Sequence, residues 1–113
     1  MTRFATLALM ILPMSGQAEG IWTTMTGTEI SAALTDRTLV YAEASQTFYA
    51  SGKTLYNQGG RESWGSWRVD NNQYCSEWPP QGLWACYHMD RSGEKLRFIG
   101  AGDDITVGMY LGE

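Results

Sequence analysis

The chain has one histidine, two cysteines and no run of basic residues, and each scarcity removes a class of function. A lone His88 cannot anchor a zinc site, which takes three or four ligands, so no metal is expected. Cys75 and Cys86 lack the Cys-x-x-Cys spacing that depresses a thiol pKa, so a redox role is not expected. Eight Lys and Arg against twelve Asp and Glu, scattered along the chain, make no cationic stripe. Nucleic acid is therefore not an expected partner. No Gly-x-Ser-x-Gly turn is present to present a serine nucleophile. Past the N-terminus no second long apolar run occurs, and a bilayer span needs ~20 apolar residues.

What is present begins with an export signal. Arg3 supplies a positive n-region, Phe4 to Met14 an apolar h-region, and Ser15-Gly16-Gln17-Ala18 a small-residue c-region that suits cleavage after Ala18. Residues 1–18 are read as a signal peptide and 19–113 as a single β-rich domain. No cysteine stands at the cleavage point, so neither a lipoprotein anchor nor any other membrane anchor is expected after cleavage. The expected location is periplasmic or secreted. Of 113 residues, removal of 18 leaves 95, and loss of Arg3 takes the formal charge from −4 to −5.

A domain of this size is marginal because its surface is large relative to its core. Two features offset that. All five Trp and all six Tyr lie after the signal, and each buries a large apolar area. The two cysteines of an exported chain read as a disulfide, worth ~3 kcal/mol for a loop of this length.

One helix is expected. Thr26-Gly27-Thr28-Glu29 fits a capping box, and Met25 and Ile30 have the spacing of a hydrophobic staple. Ile30, Ala33 and Leu34 then share a face, and the helix ends near Thr35. It is expected to lie across a sheet or plug one end of a barrel. The rest reads as strands: 38–43, 47–50, 53–57, 63–69, 73–77, 84–89, 95–99 and 105–111. The turns Ser51-Gly52, Gln58-Gly59-Gly60, Asp70-Asn71-Asn72, Arg91-Ser92-Gly93 and Gly102-Asp103-Asp104 separate them. Such short connections suit antiparallel pairing only. The expected fold is mainly β: an antiparallel meander forming a bent sheet or small, partly open barrel, with one short N-terminal helix.

Alternation assigns faces. Ile105, Val107, Met109 and Leu111 are expected to be buried, as are Leu96 and Phe98. Trp67 and Val69 share a face opposite Trp64 and Arg68, with Trp67 expected in the core and Trp64 more exposed. Gly65 suggests a bend or close backbone approach. If Cys75 and Cys86 oppose one another, Tyr74 faces Tyr87 and Glu77 faces Trp84. The core face is then Tyr74, Ser76, Trp78, Ala85, Tyr87 and Met89. The connection from Trp78 to Leu83 holds Pro79-Pro80, where a cis bond is admissible.

Gly65-Ser66-Trp67-Arg68-Val69, Tyr74-Cys75-Ser76-Glu77-Trp78-Pro79-Pro80 and Trp84-Ala85-Cys86-Tyr87 together resemble a core found in small exported proteobacterial proteins of unknown function. That core is G-x-W-x-V, then Y-C-S-x-W-P-P, then W-x-C-Y, after a short helix. The resemblance covers most of the mature chain and implies no activity. Tyr49-Ala50-Ser51-Gly52-Lys53 with Gly65-Ser66-Trp67 more weakly resembles MORN-like hairpin repeats, but one unit makes no array.

Other chemistry is poorly supplied. Ser51-Gly52-Lys53-Thr54 resembles the end of a phosphate loop, but Thr47 stands where a glycine is required, and a hairpin turn accounts for it. Ser76 is on the face opposite His88, which breaks a serine–histidine pairing. Glu43, Glu62, Glu77 and Asp90 are carboxylates without an ordered arrangement, and Asp90 is expected to start a turn. Asp103-Asp104 lack the spacing of a calcium loop and read as a turn. No catalytic residue and no cofactor are assigned.

The aromatics are the best functional material. Tyr49, Tyr56, Trp64, Trp78 and Trp84 cannot all be fully buried in so small a domain, and exposed rings stack on sugars or anchor proteins. The leading expectation is an exported, non-enzymatic binding module. Its candidate binding residues are Trp78, Leu83, Trp84 and Trp64, and its partner a protein or glycan. The first alternative is a calycin-like carrier of a small apolar ligand, for which 95 residues is short. The second is a small hydrolase with an unrecognised site.

Overall fold

The computed structural model describes residues 20–112; residues 1–18, expected to be a signal peptide, lie outside them. Nine strands and one helix follow in the order β1 (Thr23–Thr24), α1 (Gly27–Leu34), β2 (Arg37–Val40), β3 (Ser45–Phe48), β4 (Lys53–Gln58), β5 (Arg61–Asp70), β6 (Gln73–Glu77), β7 (Ala85–Ser92), β8 (Lys95–Ile99) and β9 (Ile105–Tyr110). Each strand from β2 to β9 pairs antiparallel with the next. The ring closes where β2 meets β9, with Leu39 opposite Tyr110 and Val40 opposite Met109. The result is an eight-stranded up-and-down barrel, closed rather than partly open. The two-residue β1, absent from the sequence reading, adds to β7 through Thr23 opposite Arg91.

The helix forms as its caps dictate. The Thr26 hydroxyl accepts from the Glu29 N–H while the Glu29 carboxylate accepts from the Thr26 N–H, so the capping box is complete. Its apolar face, Ile30, Ala33 and Leu34, is buried together with Met25. This face plugs one end of the barrel. Two bonds hold it there: Asn72, in the β5–β6 turn, accepts from the Gly27 N–H at 2.7 Å, and the Tyr110 hydroxyl donates to the Ala33 carbonyl at 2.8 Å. Asn71 and Asn72 take positive φ (53° and 59°), which Asn tolerates and a tight hairpin needs.

Below the plug the lumen is solid. Phe48 meets Trp67 and Tyr74 edge-on at 5.7 Å each and stacks on Phe98 at 6.4 Å. Leu39, Met89 and Leu96 are fully buried around them. Trp67 is in the core as expected, its indole N–H donating to the Tyr49 carbonyl at 2.9 Å, while Trp64 on the opposite face is 50% exposed.

The last strand corrects the sequence reading. Ile105, Val107, Met109 and Leu111 do alternate, but all four are exposed. The inward positions are Thr106, Gly108 and Tyr110 instead. The reason is volume: the lumen opposite β9 already holds the Tyr41 ring. A β-carbon on Gly108 would lie 2.8 Å from that ring. Barrel walls alternate large and small residues across the lumen, and β9 supplies the small ones. The apolar set therefore faces out, continuous with Val40 through the Val40–Met109 pair.

Asp90 is a second correction. It begins no turn; it sits in β7, almost wholly buried, with its carboxylate 2.6 Å from the Arg97 guanidinium across the β7–β8 ladder. The Trp22 ring lies 4.2 Å from the same guanidinium, so the charge is held by an anion and an aromatic face together. On β7, Ala85 was expected on the core face and is exposed, because it lies at the strand's first residue, at the rim.

Candidate aromatic cavity at the open end of the barrel

The end opposite the helix is not plugged. There the strands spread around a cavity of about 420 Å³ that opens to solvent. That lies within the range of small-molecule sites, ~300–1,000 Å³. Its aromatic lining comes from five strands and two connections: Tyr41 follows β2, Tyr56 is on β4, Trp64 on β5, Tyr74 on β6, Tyr87 on β7, Phe98 on β8, and Trp78 with Pro79 starts the β6–β7 connection. The rings are contiguous: Tyr41 stacks on Tyr56 at 6.3 Å, Tyr56 meets Trp78 edge-on at 6.1 Å, and Tyr41 meets Phe98 edge-on at 6.0 Å. Tyr74 links them to the core through Phe98 at 5.1 Å and Phe48 at 5.7 Å.

Three glycines make room for these rings. A β-carbon on Gly65 would lie 2.6 Å from the Trp78 ring and from the Glu77 carbonyl; one on Gly100 would lie 2.7 Å from the Tyr87 ring. With Gly108 beneath Tyr41, each notch seats one ring of the cavity wall. The close approach expected at Gly65 is thus observed, and what approaches is Trp78.

The cavity floor is a closed hydrogen-bond network on buried Gln46. The Tyr41 hydroxyl donates to Gln46 Oε1 at 2.8 Å, and Gln46 Nε2 donates to Thr54 Oγ1 at 2.9 Å and to the Tyr74 hydroxyl at 3.1 Å. Thr54 passes its own proton to the Thr47 carbonyl at 2.8 Å. A buried amide with both ends satisfied fixes its surroundings rather than costing stability. Burial pushes the Tyr41 phenol far above its ordinary value and raises Tyr74 for the same reason. Tyr87 is also raised, by burial first and then by the charge of the Asp104 carboxylate it hydrogen-bonds. The tyrosines are thus neutral groups throughout the physiological range.

The four candidate binding residues do not form one surface. Trp78 is half-buried and lines the cavity; Trp64 stands at its rim, its ring stacked on Tyr49 at 5.9 Å. Leu83 and Trp84 point away, 78% and 40% exposed, and the Arg68 guanidinium lies 4.0 Å over the Trp84 ring. Arg68 is the cross-strand partner of Cys75, so this pair sits on the outer wall beside the disulfide. Cys75 and Cys86 oppose one another as expected, with S–S 2.03 Å and Tyr74 opposite Tyr87. The Glu77–Trp84 pair does not form, because the ladder ends at Ser76–Ala85. The Pro79–Pro80 bond is cis.

Tyr56 was among the aromatics singled out in the sequence; Tyr41 and Gln46 were missed, and Asp104 was read as a turn residue. Parity held the signal: Asp104 shares the inward parity of Thr106 and Gly108, and was hidden by the opposite face assignment for β9. The other acidic candidates stay apart. Among the described residues no group of three His, Cys, Asp or Glu is placed to hold a metal ion. His88 is on the outer wall, 3.5 Å from Gln73 Nε2. Ser51-Gly52-Lys53-Thr54 forms the β3–β4 hairpin, with Gly52 at φ 96°. Among the described residues no helix is long and apolar enough to cross a membrane.

Comparison with protein-family models, with curated proteins and with solved structures finds no match to this chain.

Proposed function

We propose that this protein is an exported, non-enzymatic binding protein that takes a small molecule into the open end of its barrel, in the manner of a calycin. The carrying observation is the aromatic cavity of about 420 Å³, rigidly framed by glycine notches and a satisfied polar floor. A preformed pocket loses little entropy on binding, which favours affinity. The length objection to a carrier does not apply, because the ligand space occupies only one end of the barrel. Export rests on the N-terminal segment and is supported by the disulfide, which persists in oxidising compartments. No catalytic constellation lines the cavity: a carboxylate and serines are present without a histidine.

The test is titration with N-phenyl-1-naphthylamine, a neutral fluorescent probe. One-to-one binding is expected, lost in Ser63→Trp, which fills the mouth from an inward-facing rim position, with the melting temperature nearly unchanged. Probe binding unaffected by Ser63→Trp would place the ligand elsewhere. A second reading keeps Leu83 and Trp84 as an anchor for a protein or glycan, favoured by their exposure beside the disulfide. On that reading Leu83→Ala with Trp84→Ala abolishes partner binding and leaves probe affinity intact.

A further inference from the structure

We infer that the cavity selects small organic cations, amines or quaternary ammonium compounds, over neutral and anionic molecules of the same shape. The inference rests on the small-molecule reading above. It comes from what the lining offers and what it withholds.

Among the described residues, Asp104 supplies the one carboxylate of the lining, and no Lys, Arg or His lines the cavity. An anion entering it would meet a carboxylate with no compensating cation. Some of the wall's hydroxyl protons are also committed. Tyr41 donates to Gln46, and Tyr87 hydrogen-bonds Asp104. The Tyr74 hydroxyl already accepts from Gln46. The Gln46 amide, the one lining side-chain amide, has both hydrogens engaged, on Thr54 and Tyr74. What the Gln46 floor and Asp104 offer a ligand is therefore lone pairs and carboxylate oxygens, beside the ring faces. The hydroxyls of Tyr56, Ser63, Ser76 and Thr106 and the indole N–H groups of Trp64 and Trp78 complete the polar lining.

Ring faces carry the negative part of the aromatic quadrupole, and attract cations most strongly where water is displaced. Tyr41, Tyr56, Trp78 and Tyr87 bring such rings from four places in the chain to one opening with Asp104 among them. A cation there gains both the ring faces and one counter-charge. A neutral isostere gains only contact area. The chain's net negative charge, −4, works in the same direction at long range.

The test compares three ligands of similar shape on the intact protein by calorimetry: benzyltrimethylammonium, neopentylbenzene as its neutral isostere, and phenylmethanesulfonate as the anion. N-phenyl-1-naphthylamine binding is measured in parallel to report whether the cavity binds at all. The expected result is that the cation binds about tenfold or more tighter than the neutral isostere, with phenylmethanesulfonate weakest. Asp104→Asn should lose most of that preference while the neutral probe binds as before. Asp103→Asn, an equal change of net charge outside the lining, should leave it intact. If the neutral probe binds and the cation is no better than its isostere, the cation inference is overturned and the carrier reading stands. If Asp103→Asn weakens the cation as much as Asp104→Asn, the preference is a general surface field and the inference also fails. If none of the four molecules binds, both readings fall together.

Discussion

At the helix end of the barrel the lumen is closed by Met25, Ile30, Ala33 and Leu34 packed on Phe48 and Trp67; at the far end the same strands carry Tyr41, Tyr56, Tyr74 and Tyr87 around an opening. Both ends are aromatic-rich, and their difference is what the rings have left over. At the closed end Trp67 spends its N–H on a backbone carbonyl and its faces on Phe48 and Tyr74. At the open end the rings meet one another by stacking and by edges and are braced from behind by glycines. A small barrel can thus divide its length between holding itself together and holding something else. Stability should concentrate at one end and binding at the other, and substitutions can be chosen to break that division.

The largest effect is expected at Trp67. Trp67→Ala should destabilise the fold by about 3–5 kcal/mol, read by urea unfolding, whereas Trp64→Ala should cost about 1 kcal/mol or less, the value of its stack on Tyr49. Equal losses from the two would remove the distinction between core and rim on β5.

Alkaline pH reaches the boundary between the ends. Tyr41 and Tyr74 have phenols raised above the ordinary value of 10.0 by burial. Their folded-state values exceed the unfolded one, so stability is constant below about pH 10 and falls above it, where the unfolded chain releases protons first. Each contributes a slope of about 1.4 kcal/mol per pH unit. Melting temperatures measured from pH 7 to 11 should be flat and then fall steeply. A decline beginning near pH 8 would mean another group controls it.

Gly65→Ala is the smallest of the three in stability and the most selective. Its methyl would meet the Trp78 ring and the Glu77 carbonyl, so the ring must leave its notch. The expected cost is about 1–3 kcal/mol, with loss of neutral-probe binding. Retained binding would show that Trp78 does not shape the site.

Much of this division was legible in the chain. The capping box, the staple and the Ile30-Ala33-Leu34 face located the plug, because those signals are local. The Cys75–Cys86 register gave the facing of β6 and β7 up to its frayed end. Trp67 and Trp64 were separated by parity alone. What was not legible required the partner across the lumen. β9 has a flawless apolar alternation, and it faces outward because Gly108 must yield to Tyr41, a residue at the far end of the chain. The cavity was hidden for the same reason: its residues sit near strand ends, where boundaries are least certain, and only ring closure gathers them. Asp90 read as a turn residue because its Arg97 partner lies on the next strand and not in its own.

The β2–β9 seam has a kinetic consequence. Every other junction in the ring joins neighbours in sequence, so each can form as a hairpin with a small loop to close. The seam joins Leu39 to Tyr110 and Val40 to Met109 across most of the described chain, with two residue pairs to reward it. Closing so long a loop costs more entropy than any hairpin, and contacts of that separation slow folding. The disulfide lies within one hairpin and bypasses only the residues between Cys75 and Cys86. A curled meander with its seam still parted is therefore the natural precursor of the barrel, and the cavity, whose wall includes Tyr41 on one side of the seam and Thr106 on the other, exists only once the ring has shut.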